Sequence, residues 1–197
     1  AARFVANRRR HVVTVATEHK CVLESVNSLR AEGFSITILP VDSKGLIDIN
    51  VLESAISNDT ALVSVMGVNN EIGVIQRLHD IGHLCRARGV LFHTDCAQAA
   101  GKLLLNVDEM AIDLMSLSAH KMYGPKGIGG LYVRRRPRVR LEPLFSGGGQ
   151  ERGLRSGTLP AFLCVGFGAA AAAAQQYMPA ERGRLLIMHG RLRAQLL

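Results

Sequence analysis

"SAHKMYGPKGIGG", residues 118–130, sets a lysine directly after a histidine and follows it with Tyr-Gly-Pro and a run of glycines. A lysine at such a junction is either a solvated charge or a nucleophile held at the mouth of a pocket, and the flanking sequence decides which. Immediately upstream, DLMSLS (113–118) reads as a short buried strand, and GLYVRR (130–135) reads as a further strand just downstream. The glycines between them permit a tight turn beside Lys121. No Gly-Lys-Ser/Thr occurs in the segment, which argues against a nucleotide phosphate loop.

Working outward, the same alternation fills the chain. VVTVA (12–16), FSITIL (34–39), ALVSVMGV (61–68) and VLFHT (90–94) read as strands. Between them, CVLESVNSLRA (21–31) has apolar residues at helical spacing and stops at Gly33. Asp48 is placed to cap a helix over 49–57, and a third helix near 77–88 is ended by Gly89. Strands alternating with helices predict an α/β layer fold with a mostly parallel sheet flanked by helices. The alanine-rich 160–178 predicts a helix, and Pro179 separates it from a second helix over 181–197.

Of the 197 residues, 48% are hydrophobic, enough to build a core and too many for global disorder. No apolar run approaches the length of about 18 residues that a membrane span needs. The chain starts Ala1-Ala2-Arg3, without an initiator Met or a signal pattern, and so reads as a fragment or processed product. The four cysteines, Cys21, Cys85, Cys96 and Cys164, form no C-x-x-C pair, so free thiols are expected rather than a zinc or disulfide framework. The net charge of +8 is uneven: +3 over residues 1–40, −5 over 41–120 and +10 over 121–197. The clusters Arg8-Arg9-Arg10 and Arg134-Arg135-Arg136 have few aromatics between them to stack bases. They read as a solvated edge or subunit contact, and no direct nucleic-acid binding is expected.

Ligands of open α/β sheets bind beyond the carboxyl ends of the strands. Here those ends carry Thr17-Glu18-His19-Lys20, then Asn69-Asn70-Glu71, then Asp95-Cys96-Ala97-Gln98, then Ala119-His120-Lys121. This polar crescent suits pyridoxal 5'-phosphate. That cofactor needs a lysine amine to bond its carbonyl carbon and an acid to keep its pyridine nitrogen protonated. It also needs a flat neighbour for the ring, a donor for its phenolic oxygen and hydroxyls for its phosphate.

Taken together, TEHK (17–20), VNNEIG (68–73), HTDCAQ (93–98), SAHKMYGPKG (118–127) and SGGGQERGLRSGT (146–158) resemble the cysteine desulfurases of the IscS/NifS type. These are fold-type I pyridoxal-phosphate enzymes of the class V aminotransferase family, and the motifs stand in family order across nearly the whole chain. RRRPRVR (134–140) is most similar to the mitochondrial members and their bacterial relatives. The resemblance implies a homodimer of the mitochondrial matrix, or alternatively of a bacterial cytoplasm. It implies conversion of L-cysteine to alanine, with sulfur passed as a persulfide to iron–sulfur scaffold and sulfur-acceptor proteins or toward tRNA thiolation. It further implies that Lys121 bonds the cofactor and shuttles protons, and that Asp95 pairs with the pyridine nitrogen. Gln98 would bond the phenolic oxygen, and His19 would stack on the ring and serve in acid–base steps. Asn70 would lie near ring and substrate, Ser118 and His120 would hold the phosphate, and Thr158 would reach the phosphate of the neighbouring subunit.

The resemblance assigns residues 1–178 to most of the cofactor-binding large domain and 179–197 to the start of a helical connection to a small domain. The family's upstream phosphate segment and its catalytic-cysteine loop fall outside the chain, so the 197 residues alone are expected to lack desulfurase turnover. The alternatives are a selenocysteine lyase or other class V relative, or an inactive chain acting in dimerisation or partner binding. Cys96, beside Asp95, has no local signal of an activated thiol. His79 and His83, four apart without an adjacent Glu after the first, are a weak metal signal, and no metal is expected.

Overall fold

The computed structural model describes residues 1–196. Six strands form one sheet: β1 (His11–Val15), β2 (Ser35–Leu39), β3 (Thr60–Ser64), β4 (Leu91–Asp95), β5 (Leu114–Ser118) and β6 (Gly129–Val133). The order is β2-β1-β3-β4-β5-β6, parallel except for the antiparallel β5–β6 pair at one edge. Every residue of β1 is buried, as interior strands of a parallel sheet are, the polar His11 and Thr14 included. The third strand is shorter than its apolar run suggests. Its regular part ends at Ser64, and 65–67 still runs beside β4, with Val65 N donating to His93 O at 3.1 Å and Gly67 N to Asp95 O at 2.8 Å, before the chain turns into a site-bearing loop.

The crossover helices are α1 (Lys20–Ser28), α2 (Ile49–Ala55) and α3 (Leu78–Ala87). Asp48 caps α2 by accepting Asn50 N at 2.8 Å, as its position predicts. Val63, Val65, Ile81, Phe92 and Ile112, none with measurable exposure, sit in the main core between the sheet and α2 and α3. A smaller core of Val12, Val26, Leu29, Phe34 and Ala61 lies under α1.

Two expectations are corrected. Residues 161–196 form a single helix, α4 (Ala161–Leu196), which runs through Pro179 instead of breaking there. A proline removes one helical N–H and crowds the preceding turn. No residue of α4 is buried, so water can take up the freed carbonyl. The arginine run is not simply a solvated edge, because Arg134 is 5% exposed. Its guanidinium donates to Ile112 O and Val107 O, and ion-pairs with Asp108 at 2.6 Å and Asp113 at 3.4 Å. Asp113 in turn accepts Phe92 N at 2.9 Å. One arginine therefore ties β4, β5 and β6 together at the ends opposite the site.

Candidate active site

The four central strands β1, β3, β4 and β5 end side by side, and the residues that follow them close around a cleft of about 400 Å³. His19, Asn70, Asp95, Gln98, Ser118, His120 and Lys121 all line it. Thr158 does not; it lies exposed in the loop ahead of α4.

His19 caps α1, and its Nδ1 accepts Cys21 N at 3.2 Å. An acceptor Nδ1 places the proton of the neutral ring on Nε2. The loop bearing His19 is pinned twice to the loop after β3. Glu18 accepts Met66 N, and Asn69 donates to Thr17 O at 2.9 Å. Asn69 is buried and also accepts Glu71 N and Ile72 N at 2.8 Å each, so it staples the turn and leaves its neighbour Asn70 to face the cleft. Burial pushes the Glu18 carboxyl up to about 8, and Asp95 nearby adds to that shift.

Asp95 closes β4 with 8% exposure, and its Oδ1 accepts Ala97 N at 2.9 Å. Lys121 stands in a 3-10 turn, Ala119–Met122, directly after β5. The turn is closed by Gly124 N donating to Ala119 O at 2.9 Å, and Tyr123 takes a left-handed φ of 62°. Gly129 is required where the chain returns beside β5, since a Cβ there would stand 2.5 Å from Leu117 O. Ser118 Oγ and His120 Nδ1 lie 2.9 Å apart at the same rim.

Several cleft residues carried no recognisable signal in the sequence. Met66, Val68, Ser116 and Leu117 supply wall, and Cys21 stands beside His19 with Sγ 2.9 Å from Nδ1. Burial, with Asp95 adding, raises the Cys21 thiol above its ordinary value, so it rests as the thiol. Cys96 points the other way. It has no exposed surface, packs toward Gly67, and burial pushes its thiol up to about 11. Among the described residues no group of three or more His, Cys, Asp or Glu is placed to hold a metal. His83 Nε2 is bonded to Glu109 O at 2.9 Å.

A lysine and a nearly buried aspartate at neighbouring strand ends, flanked by an imidazole, a carboxamide and hydroxyls, define a pyridoxal-phosphate type of site. The donor set fits that group: a carboxylate for its pyridine nitrogen, an amine for its carbonyl carbon, and Ser and His donors for its phosphate. Residues 1–183 match the aminotransferase class-V family, and the chain belongs to it. Members of this family are pyridoxal-phosphate-dependent, and the fold is that of a fold-type I large domain.

Within the family, the chain is similar to cysteine desulfurases. It is 63% identical over 169 residues to the mitochondrial cysteine desulfurase of Saccharomyces cerevisiae, covering 86% of this chain and 34% of that protein. A solved NifS-like protein superposes with a TM-score of 0.94 at 37% identity, over 99% of this chain and 53% of its own. A structure of SspA in complex with cysteine superposes with a TM-score of 0.82 at 46% identity, over 87% of this chain and 49% of that one. The chain spans 34% to 42% of the length of curated relatives that it matches.

Proposed function

We propose that this chain is the cofactor-binding part of a pyridoxal-phosphate-dependent cysteine desulfurase. The observation that carries the reading is the convergence of Lys121, Asp95, His19 and Gln98 on one cleft, in a chain of this family whose relatives bear that name. Bound there, pyridoxal phosphate supplies an electron-accepting ring that stabilises a carbanion at an amino acid's α-carbon.

The residues have the following parts. Lys121 Nζ would be the covalent anchor of the cofactor, and its amine would serve as base and acid at the substrate's α-carbon. Asp95, nearly buried and fixed by Ala97 N, holds a proton on the pyridine nitrogen. His19, which lines the cleft, would present its ring face to the cofactor. The Cys21 N–H fixes its Nδ1, so Nε2 is the end free for proton transfer. Asn70 would lie beside ring and substrate, and Ser118 and His120 would bind the phosphate. Thr158, outside the cleft of its own chain, completes the phosphate site of a second copy in a homodimer.

The substrate is L-cysteine, by analogy with the relatives' names and with the cysteine bound to SspA. Products are alanine and a persulfide, formed as the substrate's sulfur passes to an acceptor thiol and handed on to sulfur-acceptor and iron–sulfur scaffold proteins; relatives are named mitochondrial, and the matrix is the proposed compartment. Residues 1–178 form most of the large domain, and 179–197 lead toward a small one. Alanine release from L-cysteine by the full-length protein, with sulfide under reducing conditions, is the test. The expected result is turnover that needs added pyridoxal phosphate and disappears in Lys121→Ala. Turnover that survives that substitution overturns the reading.

A further inference from the structure

Lys102 has no part in the roles above, yet it touches one of the residues that do. It lies four residues after Gln98, and the intervening chain turns as one helical loop, with Ala100 N bonded to Cys96 O and Leu103 N to Ala99 O at 2.9 Å each. Side chains four apart on such a turn meet. Lys102 Nζ stands 3.0 Å from Gln98 Oε1 and 3.3 Å from Gln98 O.

The chemistry of the pair fixes the amide. An ammonium can only donate, so the end of Gln98 that it meets is the carbonyl oxygen. The carboxamide's remaining end, Nε2, is then what Gln98 has to offer the cleft it lines, and it is a donor. Nothing else among the described residues is bonded to the Gln98 side chain. Without Lys102 the amide is free to rotate by half a turn and present an acceptor instead.

The turn is itself held against the element that carries Lys121. Gly101, with φ of 73°, approaches so closely that a Cβ there would stand 3.2 Å from Met122 Cγ and 3.0 Å from Ala174 Cβ. Lys102 and Lys121 are near enough to feel each other: partial burial lowers the Lys102 pKa, and the charge of Lys121 lowers it further. The other titratable groups around the cleft are His19, Cys21, Asp95 and His120, with Glu18 close to Asp95.

We propose that Lys102 is a positioning residue of the cofactor site: by holding Gln98 Oε1 it aims Nε2 at an anionic oxygen, the phenolic oxygen of the pyridoxal ring. This rests on the pyridoxal-phosphate reading above. A donor so aimed stabilises the oxyanion most when no protonated nitrogen is beside it, and so lowers the pH at which the visible band of the lysine-bound cofactor titrates.

The test is a spectroscopic titration of that band in the full-length protein loaded with pyridoxal phosphate. Lys102→Met is expected to raise the midpoint by about one pH unit, the scale of a hydrogen bond to a charged group. Lys102→Arg, whose guanidinium also only donates, is expected to restore most of it. In a Gln98→Leu background, where there is no amide to aim, Lys102→Met is expected to shift the midpoint by less than half as much, the non-additivity of coupled residues. An unmoved midpoint in Lys102→Met, or a shift of full size in the Gln98→Leu background, overturns the proposal and leaves the cofactor assignment standing. A wild-type protein without a lysine-bound band overturns the cofactor assignment itself.

Discussion

Residues 1–133 and residues 134–196 fold by different means. The first region is a sheet with helices on both faces, and Phe92, Val63 and Ile112 in it have no exposed surface at all. The second begins with one anchored arginine, continues through the glycine- and arginine-rich 146–158, and ends in a helix of 36 residues of which none is buried. That helix exposes Phe162 at 77% and Val165 at 72%. One face of it packs on its own chain, with Ala170 against Gly124 and Ala174 against Gly101, and the opposite apolar face stands free. The first region supplies its own burial and carries the cleft; the second has apolar surface that the proposed second copy and the rest of the protein would cover, and it carries Thr158.

The sharpest way to break this contrast is a pair of phenylalanines. Phe92→Ala, in the sheet core, is expected to destabilise the protein by about 3–5 kcal/mol in denaturant unfolding, the cost of emptying a packed aromatic site. Cost below about 1 kcal/mol would mean that the first region does not hold itself together as described.

An intermediate effect comes from pH. His93 bridges three strands, with Nδ1 2.8 Å from Ser64 Oγ and Nε2 2.9 Å from Ser116 Oγ. Burial lowers its pKa from 6.5 to about 4, against the pull of Asp95. Below 6.5 the unfolded chain takes up a proton that the folded chain refuses, so stability falls as pH drops from 6.5 toward about 4. Glu18 has the opposite sign. Its folded pKa of about 8 exceeds the unfolded 4.5, so its contribution is full at low pH and is lost as pH rises through that window. His93→Gln is expected to flatten the acid slope and Glu18→Gln the alkaline one, in unfolding midpoints measured across pH 4–9. Unchanged slopes would contradict the burial assigned to these two groups.

At the other extreme, Phe162→Asp on α4 is expected to change monomer stability by no more than about 0.5 kcal/mol, as surface substitutions do. Self-association of the full-length protein, followed by sedimentation, is expected to weaken. A large loss of monomer stability would show that the Phe162 face of α4 is packed within its own chain.

The contrast also explains what could be read in the sequence. Asp95 and Lys121 were legible because one ends an apolar strand and the other stands in the turn after the next, and a parallel sheet puts those ends on one edge whatever the helices do. The continuity of α4 was not: Pro179 is a local stop signal, and nothing local says that the helix runs on through it. Arg134 was misread for a similar reason. A run of arginines looks solvated until Asp108 and Asp113, more than 20 residues upstream, are brought against it. Lys102 and Cys21 stayed silent because their roles depend on contacts with Gln98 and His19 that composition does not display.

The central claim is that Lys121 is the covalent anchor of pyridoxal phosphate in this cleft. Its most direct measurement is borohydride reduction of the full-length protein with bound cofactor, followed by peptide mass spectrometry. The expected result is a pyridoxyl group on Lys121 and no adduct at any lysine in Lys121→Ala. An adduct on Lys102 or Lys126 in its place, or none on any lysine, would contradict it.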